Sequence, residues 1–448
     1  MHLLVDRKTI FIDRSKLISL SLFSLLFLSN SSWANLTLPT AIKLAKQDDV
    51  WLKGSELTER ALLATGEASD SLPDPSISVD LLNLPTDGFD FSQEPMSQFK
   101  LAISQNFTRG ASRQLKQKQY NQLAAQHPLL RKNRLAELEL TVSQLYLDAF
   151  AAQQAINHIA KDRPLFEQLI ETINASYTST QGNSQQQDIL QARIKLALID
   201  DHSLKMQQQL DTALAQLSRW LPESNIKLAD SKAWPEITKF PNHLTDILAT
   251  QQIHQLADLL SQHPAVLAIQ QQIKAKVSAV DLAKQKYQPL WGVSASYAYR
   301  DDDPFTGSRA DFFSVGIKVE LPLFSNQRND NEVAAASYQA RSIETEKRLL
   351  IKKMLGQVNT LYKQSINLEQ RYQGYKQNII PQLEAQHKAA LAAFSQNDGQ
   401  LVEVIEAQIK QHDAHVEMIN ISKQTLKTQA HLAYLLGHAS SQNDREVN

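Results

Sequence analysis

Two short constellations in this 448-residue chain carry side chains able to do chemistry. Glu403 and Glu406 stand three residues apart, so their carboxylates share one face of a helix. Such a pair attracts cations; a solvated helix face carries the same pattern. His412 and His415 also fall one helical turn apart, which invites a metal reading. No third ligand stands at a suitable spacing, and His412 lies in an apolar stripe, so a packed or hydrogen-bonded histidine fits better. Asp301, Asp302 and Asp303 form an acidic run between two alternating segments. Surface solvation accounts for them, with divalent-ion bridging to a lipid leaflet as the lesser alternative.

The rest of the composition mainly excludes. There is no cysteine, which removes thiol catalysis, thiolate metal sites, disulfides and a lipid on an N-terminal cysteine. Glycines number 12, and no two lie closer than nine residues. Neither a dinucleotide fingerprint, a phosphate loop nor a G-x-S-x-G elbow can be written with them. With no H-E-x-x-H either, an exported hydrolase would have to rely on a scattered site. No enzyme activity, cofactor or bound metal is expected. A formal charge of −1 gives no electrostatic basis for binding nucleic acid. Hydrophobic residues at 42%, charged residues at 21% and a mean hydropathy of −0.34 fit neither a multi-pass helical membrane protein nor a disordered chain.

The elements that must position these residues begin after an address. Arg7, Lys8, Arg14 and Lys16 precede an apolar run from Leu17 to Leu28, and Ser32 and Ala34 suit a signal-peptidase site before Asn35. The alternative is a membrane anchor, but twelve apolar residues reach only about 18 Å as helix, short of a hydrocarbon core of about 30 Å. Residues 1–34 are therefore read as a signal peptide, and no later stretch is apolar enough to span as a helix.

The remainder is written twice. Phe107 to Pro164 and Phe324 to Pro381 are both 57 residues; Pro164 to Tyr177 and Pro381 to Phe394 are both 13; Ala192 to Leu221 and Ala407 to Leu436 are both 29. Val50 to Pro73 and Val266 to Pro289 both span 23. Four matches in order argue for duplication. The first repeat is read as 35–221, a proline-rich connector as 222–243, the second repeat as 244–437, and 438–448 as a tail. Each repeat reads helix, two strands, very long helix, helix. The first helices fall at about 40–70 and 244–287.

Strict period-two patterning marks the strands, at about 76–84, 97–107, 291–300 and 311–321. Val293, Ala295, Tyr297 and Tyr299 alternate with Ser294, Ser296, Ala298 and Arg300; Phe313, Val315, Ile317, Val319 and Leu321 alternate with Ser314, Gly316, Lys318 and Glu320. Ten alternating residues with aromatics near the ends suit a transmembrane β-strand. Two half-buried hairpins on a soluble domain would read the same way. The long helices, 111–177 and 329–394, reach about 100 Å each. The helices at 185–221 and 400–436 add about 55 Å and the first ones about 45 Å, so the two end to end match one long helix. Their apolar stripes are narrow, as in a coiled-coil wall wetted on two sides. Four strands cannot close a barrel, since single-chain bacterial barrels start at eight. In lipid, chains must therefore pool them, and three copies give twelve. An exported, cysteine-free chain with hairpins in lipid points to the outer membrane of a double-membrane bacterium.

On these residues the chain resembles the TolC-type outer-membrane efflux channel family over nearly the whole of 35–448. Supporting segments are His263-Pro264-Ala265-Val266, Val319-Glu320-Leu321-Pro322-Leu323-Phe324, the pairs Pro164/Tyr177 and Pro381/Phe394, and Val402-Glu403-Val404-Ile405-Glu406-Ala407-Gln408. The resemblance implies a mainly α protein with a membrane β part, a homotrimer whose α-barrel tunnel carries a 12-stranded transmembrane β-barrel with four strands per chain. It implies a passive outer-membrane exit duct with its tunnel in the periplasm, docked through a periplasmic adaptor (membrane fusion) protein onto an inner-membrane efflux pump. Ser104-Gln105-Asn106-Phe107, Arg109-Gly110-Ala111-Ser112-Arg113 and Ser184-Gln185-Gln186-Gln187-Asp188 look most like members paired with heavy-metal exporters. The family likeness makes the turns at 178–184 and 395–399 the periplasmic tips, with Gly182, Asn183, Asn397, Asp398 and Gly399 as adaptor contacts or simply turn residues. Asn397 stands where the family usually has glycine, and the stretch from Tyr177 to Gly182 carries two extra residues. Glu403 and Glu406 match the acidic ring at the tunnel constriction, six carboxylates in a trimer, where such rings favour cations. The competing reading is a structural periplasmic coiled-coil protein without a pore.

Overall fold

The computed structural model describes residues 36–178, 186–222, 227–237, 247–250, 252–302, 307–396 and 398–437. The expected signal segment and the tail at 438–448 lie outside the described residues, as do Gly182, Asn183, Asn397 and Asp303.

The strands form where period-two patterning places them. β1 (Ser76–Leu82), β2 (Gln98–Phe107), β3 (Leu290–Tyr299) and β4 (Phe312–Glu320) make one antiparallel sheet in the order β1-β2-β3-β4. The two hairpins, more than 180 residues apart in the chain, are joined through β2 and β3, with Phe99 opposite Tyr299 and Phe107 opposite Trp291. Register follows the apolar pattern, because slipping one residue would turn every side chain to the other face. The ladder puts Ile77, Ile103, Ala295 and Val315 in one row and Val79, Leu101, Tyr297 and Phe313 in the next.

Helices make the rest. α1 (Leu38–Asp48) and α2 (Val50–Ser69) stand where one helix is expected. Asp49 breaks them with extended backbone; its carboxylate accepts from Trp51 N at 2.9 Å, capping α2, and from Arg134 Nε at 2.7 Å. α3 (Ser112–Ala124) runs on into α4 (Gln126–Thr178), which continues through Pro164. Pro128 falls in the first turn of α4, where its missing N–H has no partner to lose. α5 (Gln186–Ser218) follows. In the second half the expected helix at 244–287 is also broken. α6 (Ile253–Ser261) ends before Pro264, which opens α7 (Pro264–Lys284); His263 caps α7 by accepting from Ala265 N. A proline biases the residue before it to extended backbone, and His263 adopts it.

α8 (Asn326–Gly374), a π-turn at Tyr375–Ile379 and α9 (Ile380–Ser395) replace the single long helix. Pro381 has no N–H for the ladder and its ring crowds the preceding turn, so the backbone widens just ahead of it. α10 (Leu401–Leu436) is the last element among the described residues.

The core is a chain of narrow seams. Tyr146, Phe150, Leu217 and Leu221 pack with Leu38 and Ala41. Leu260 and Val266 pack with Val358 and Leu436. Further along, Ile159, Phe166, Ile199, Val404 and Ile405 form a third cluster across α4, α5 and α10.

Sheet and helices meet at a polar joint. Arg109 donates to the carbonyls of Lys286 and Gln288 at 3.0 and 3.2 Å and to the Glu320 carboxylate. It thereby ties the end of β2 to the α7–β3 passage and to β4. Next to it Gly110 takes φ +47°, and a Cβ there would sit 2.3 Å from Gln285 Oε1, the atom that accepts from Ala111 N. Gly110→Ala is expected to cost about 1–3 kcal/mol through left-handed strain and the displaced glutamine. The check is a lower melting temperature of the purified protein in detergent with secondary structure unchanged.

Candidate functional site

Two surfaces and one buried cluster carry the chemistry. The first surface is the sheet. Its apolar face is open: Ile317, Val315 and Ile77 are 71%, 69% and 69% exposed, with Val79, Leu101, Ile103 and Val293 also exposed. Aromatic residues bracket this face, Phe107 and Trp291 at one end and Phe99, Tyr297, Tyr299 and Phe313 at the other. Six to eight residues along a strand separate them, about 20–27 Å, which matches the roughly 25 Å apolar band of an outer-membrane barrel. The opposite face carries Ser76, Ser78, Asp80, Lys100, Ser104, Ser294, Ser296, Ser314 and Lys318. Among the described residues β1 and β4 each pair on one side only, so both sheet edges are open.

The second surface is the turn between α9 and α10. Asp398 N donates to Ala393 O at 3.0 Å and Gln396 N to Ala392 O at 3.2 Å. Gly399 crosses close to the end of α9, where a Cβ would meet Ala393 Cβ at 3.0 Å and Phe394 N at 3.1 Å. Asp398 is exposed. One turn into α10, Glu403 and Glu406 both face solvent while Val404, Ile405, Ala407 and Gln408 are buried. Their carboxylates have no ion-pair partner among the described residues. Glu403 lies in the first turn, where the helix N-terminus favours an anion.

The buried cluster was not legible from the sequence spacing. His412 on α10 is 2% exposed and shares its Nδ1 with Asp162 Oδ2 of α4 at 2.7 Å. His158, one turn before Asp162, stacks on His412 with ring centroids 5.2 Å apart and its Nε2 3.4 Å from the same carboxylate oxygen. His415 lies 4.9 Å from His158, and His202 on α5 meets His412 edge-on at 6.0 Å, centroid to centroid. The buried, hydrogen-bonded histidine expected at 412 is thus present. It also gains the neighbours that proximity in sequence did not supply. The His158/Asp162 spacing of four was the available signal.

Burial lowers the His158 imidazole below its ordinary value, helped by the charges of His415, His412 and Lys161 against the pull of Asp162. Burial, with His412 adding to it, lowers His202 as well. For Asp162 burial acts upward, yet the His412 hydrogen bond and the three imidazole charges outweigh it and hold the carboxyl below the usual range. Both histidine shifts run toward the neutral imidazole. Asp301 and Asp302 belong to the loop after β3, where Arg309 N donates to Asp302 Oδ1 at 3.3 Å.

The family model described as outer membrane efflux protein matches residues 256–438. A search of curated proteins found no match. Among solved structures, a CusC structure whose study concerns folding and transmembrane channel formation superposes with a TM-score of 0.72 at 14% identity, covering 90% of this chain and 92% of that one. The Campylobacter jejuni CmeC outer membrane channel gives 0.70 at 12% identity, covering 100% and 97%. The outer membrane protein VceC of Vibrio cholerae gives 0.70 at 14%, covering 89% and 96%. Residues 256–438 are thus similar to the outer membrane efflux protein family, and the chain as a whole shares the fold of these outer-membrane channels.

Proposed function

We propose that the protein is the outer-membrane exit duct of a tripartite efflux system. Three chains pool their sheets into a 12-stranded barrel, and their helices line a tunnel through the periplasm. Transport through it is passive; an inner-membrane pump, reached through a periplasmic adaptor, supplies the energy. The observation that carries this reading is a four-stranded sheet with an exposed apolar face, aromatic rows at both ends and two unpaired edges. A soluble hairpin domain would cover that face, and a periplasmic coiled coil has no use for it. We read the chain as two efflux repeats, 35–221 and 244–437, bridged by 222–243. Heavy-metal cations are the proposed cargo, on the likeness of residues 104–113 and 184–188 to members paired with metal exporters. Glu403 and Glu406 are assigned to the constriction and Asp398 and Gly399, with Gly182, Asn183 and Asn397, to the adaptor contact.

Because the chain has no cysteine, strand pairing between chains can be read directly. Within one chain β1 and β4 are three strand spacings apart, about 14 Å, beyond disulfide reach. Val79→Cys combined in turn with Phe313→Cys, Val315→Cys, Ile317→Cys or Val319→Cys is expected to give reducible dimers and trimers in outer-membrane fractions. A chain that stays monomeric and soluble without detergent, with no crosslink from any pair, overturns the reading.

Glu403→Gln/Glu406→Gln is expected to cut the cation preference of single channels in planar bilayers several-fold and to relieve block by multivalent cations. Unchanged selectivity and block would remove these residues from the constriction. Asp398→Lys is expected to weaken adaptor crosslinking and to sensitise a complemented deletion strain while outer-membrane trimers persist. Wild-type crosslinking and resistance would leave Asp398 a turn residue only.

A further inference from the structure

One group of coordinating side chains has no part in the duct just described. It lies inside the wall, where α4, α5 and α10 pack. We propose that His158, Asp162 and His412 bind one borderline divalent cation of the zinc type, which clips α4 to α10, with His202 and His415 flanking the site.

Three observations support this. The ligand atoms of His158, Asp162 and His412 all lie within 4.8 Å of one another. Bonds of about 2.0–2.1 Å in a tetrahedron place ligand atoms about 3.3 Å apart. Two of the separations, 2.7 Å from His412 Nδ1 and 3.4 Å from His158 Nε2 to Asp162 Oδ2, bracket that value. Second, His158 Nε2, the nitrogen that faces Asp162 Oδ2, is buried without a hydrogen-bond partner. Burying a polar atom unpaired is costly. Third, the donor set selects the ion. Two imidazoles and one carboxylate suit zinc, cobalt(II) or nickel(II); magnesium and calcium prefer all-oxygen shells, and no thiolate is present for softer ions.

The site is distinct from the transport path. Glu403 and Glu406 are exposed, whereas His412 lies nine residues further along α10, about 14 Å, and inside the seam. An ion held here joins segments 250 residues apart in the chain. It acts on the packing of the wall, stabilising by mass action the arrangement in which α4 and α10 are in register.

The test uses the full-length trimer in detergent, stripped with a chelator and titrated with zinc chloride, then with cobalt chloride followed by its visible d–d absorption. One ion per chain is expected at micromolar free metal or below, unaffected by millimolar magnesium, with a tetrahedral cobalt spectrum. Crystals soaked in zinc should show an anomalous peak between His158, Asp162 and His412. His158→Gln and Asp162→Asn, which alter half-buried ligands, should each weaken binding at least about tenfold. His254→Gln, an exposed histidine elsewhere, should not. His412→Gln tests the third ligand where it folds. No saturable binding by the wild-type protein, a peak elsewhere, or unaltered affinity in both ligand variants overturns the proposal. None of these readouts depends on channel activity, so the site and the duct stand or fall separately.

Discussion

A backbone amide cannot be left unpaired in hydrocarbon, at several kcal/mol for each group, and the proposed duct rests on this constraint. The sheet ends in β1 on one side and β4 on the other, each with a free edge. With four antiparallel strands, β1 and β4 run in opposite directions. The β4 edge of one copy therefore offers an antiparallel partner to the β1 edge of the next. That is a head-to-tail contact, which forms a ring when the rotation closes. An odd number of strands would bring like-directed edges together and spoil the ladder. Carrying two hairpins, one from each half of the chain, keeps the number even, and in the proposed trimer the count would reach twelve.

The helices answer the same demand from below. A ring of sheets can close only if every chain presents its sheet at a fixed angle, so the joint between sheet and wall must be stiff. Arg109 meets this need with bonds to the Lys286 and Gln288 carbonyls and to Glu320, drawing three chain segments onto one guanidinium. Gly110 then turns the chain into α3 at φ +47°, with Gln285 filling the space a side chain would need. Glu320 belongs to the Val319–Phe324 segment, so part of the sequence likeness falls on residues that hold this joint.

Much of this was legible in the sequence because it rests on periodicity. Strand ends fall within two residues of those expected for β2, β3 and β4, since alternation stops where the apolar face stops. What alternation does not encode is partnership, and the joining of β2 to β3 came only with the fold. Helix interruptions were harder. Pro264 and Pro381 signalled theirs, but one broke the helix and the other was absorbed by a π-turn. The break at Asp49 has a local signal in the N-cap to Trp51 N, while its contact with Arg134, 85 residues away, came only with the fold. The acidic pair was readable because three residues on one helix share a face, whereas Asp162 and His412 could be matched only by folding.

Buried polar contacts along α4 and α10 have a shared logic. A repeating apolar seam can bury its residues in more than one register, one turn apart. Polar partners prevent that. Asp162 meets His412 at 2.7 Å, and Asp148 meets Lys427 at 2.6 Å. Going from the first pair to the second, the position falls by fourteen residues on α4 and rises by fifteen on α10, as antiparallel helices in a single register require. Further on, Asn133 meets Tyr434 at 3.1 Å, outside that register. A slip of one turn would separate the first two pairs together and leave two aspartates, a lysine and a histidine partly buried and unmatched. The penalty for each orphaned charge exceeds what any one pair contributes by forming. These contacts therefore act on specificity more than on stability, holding a wall about 100 Å long to one alignment, as the proposed ring of sheets requires.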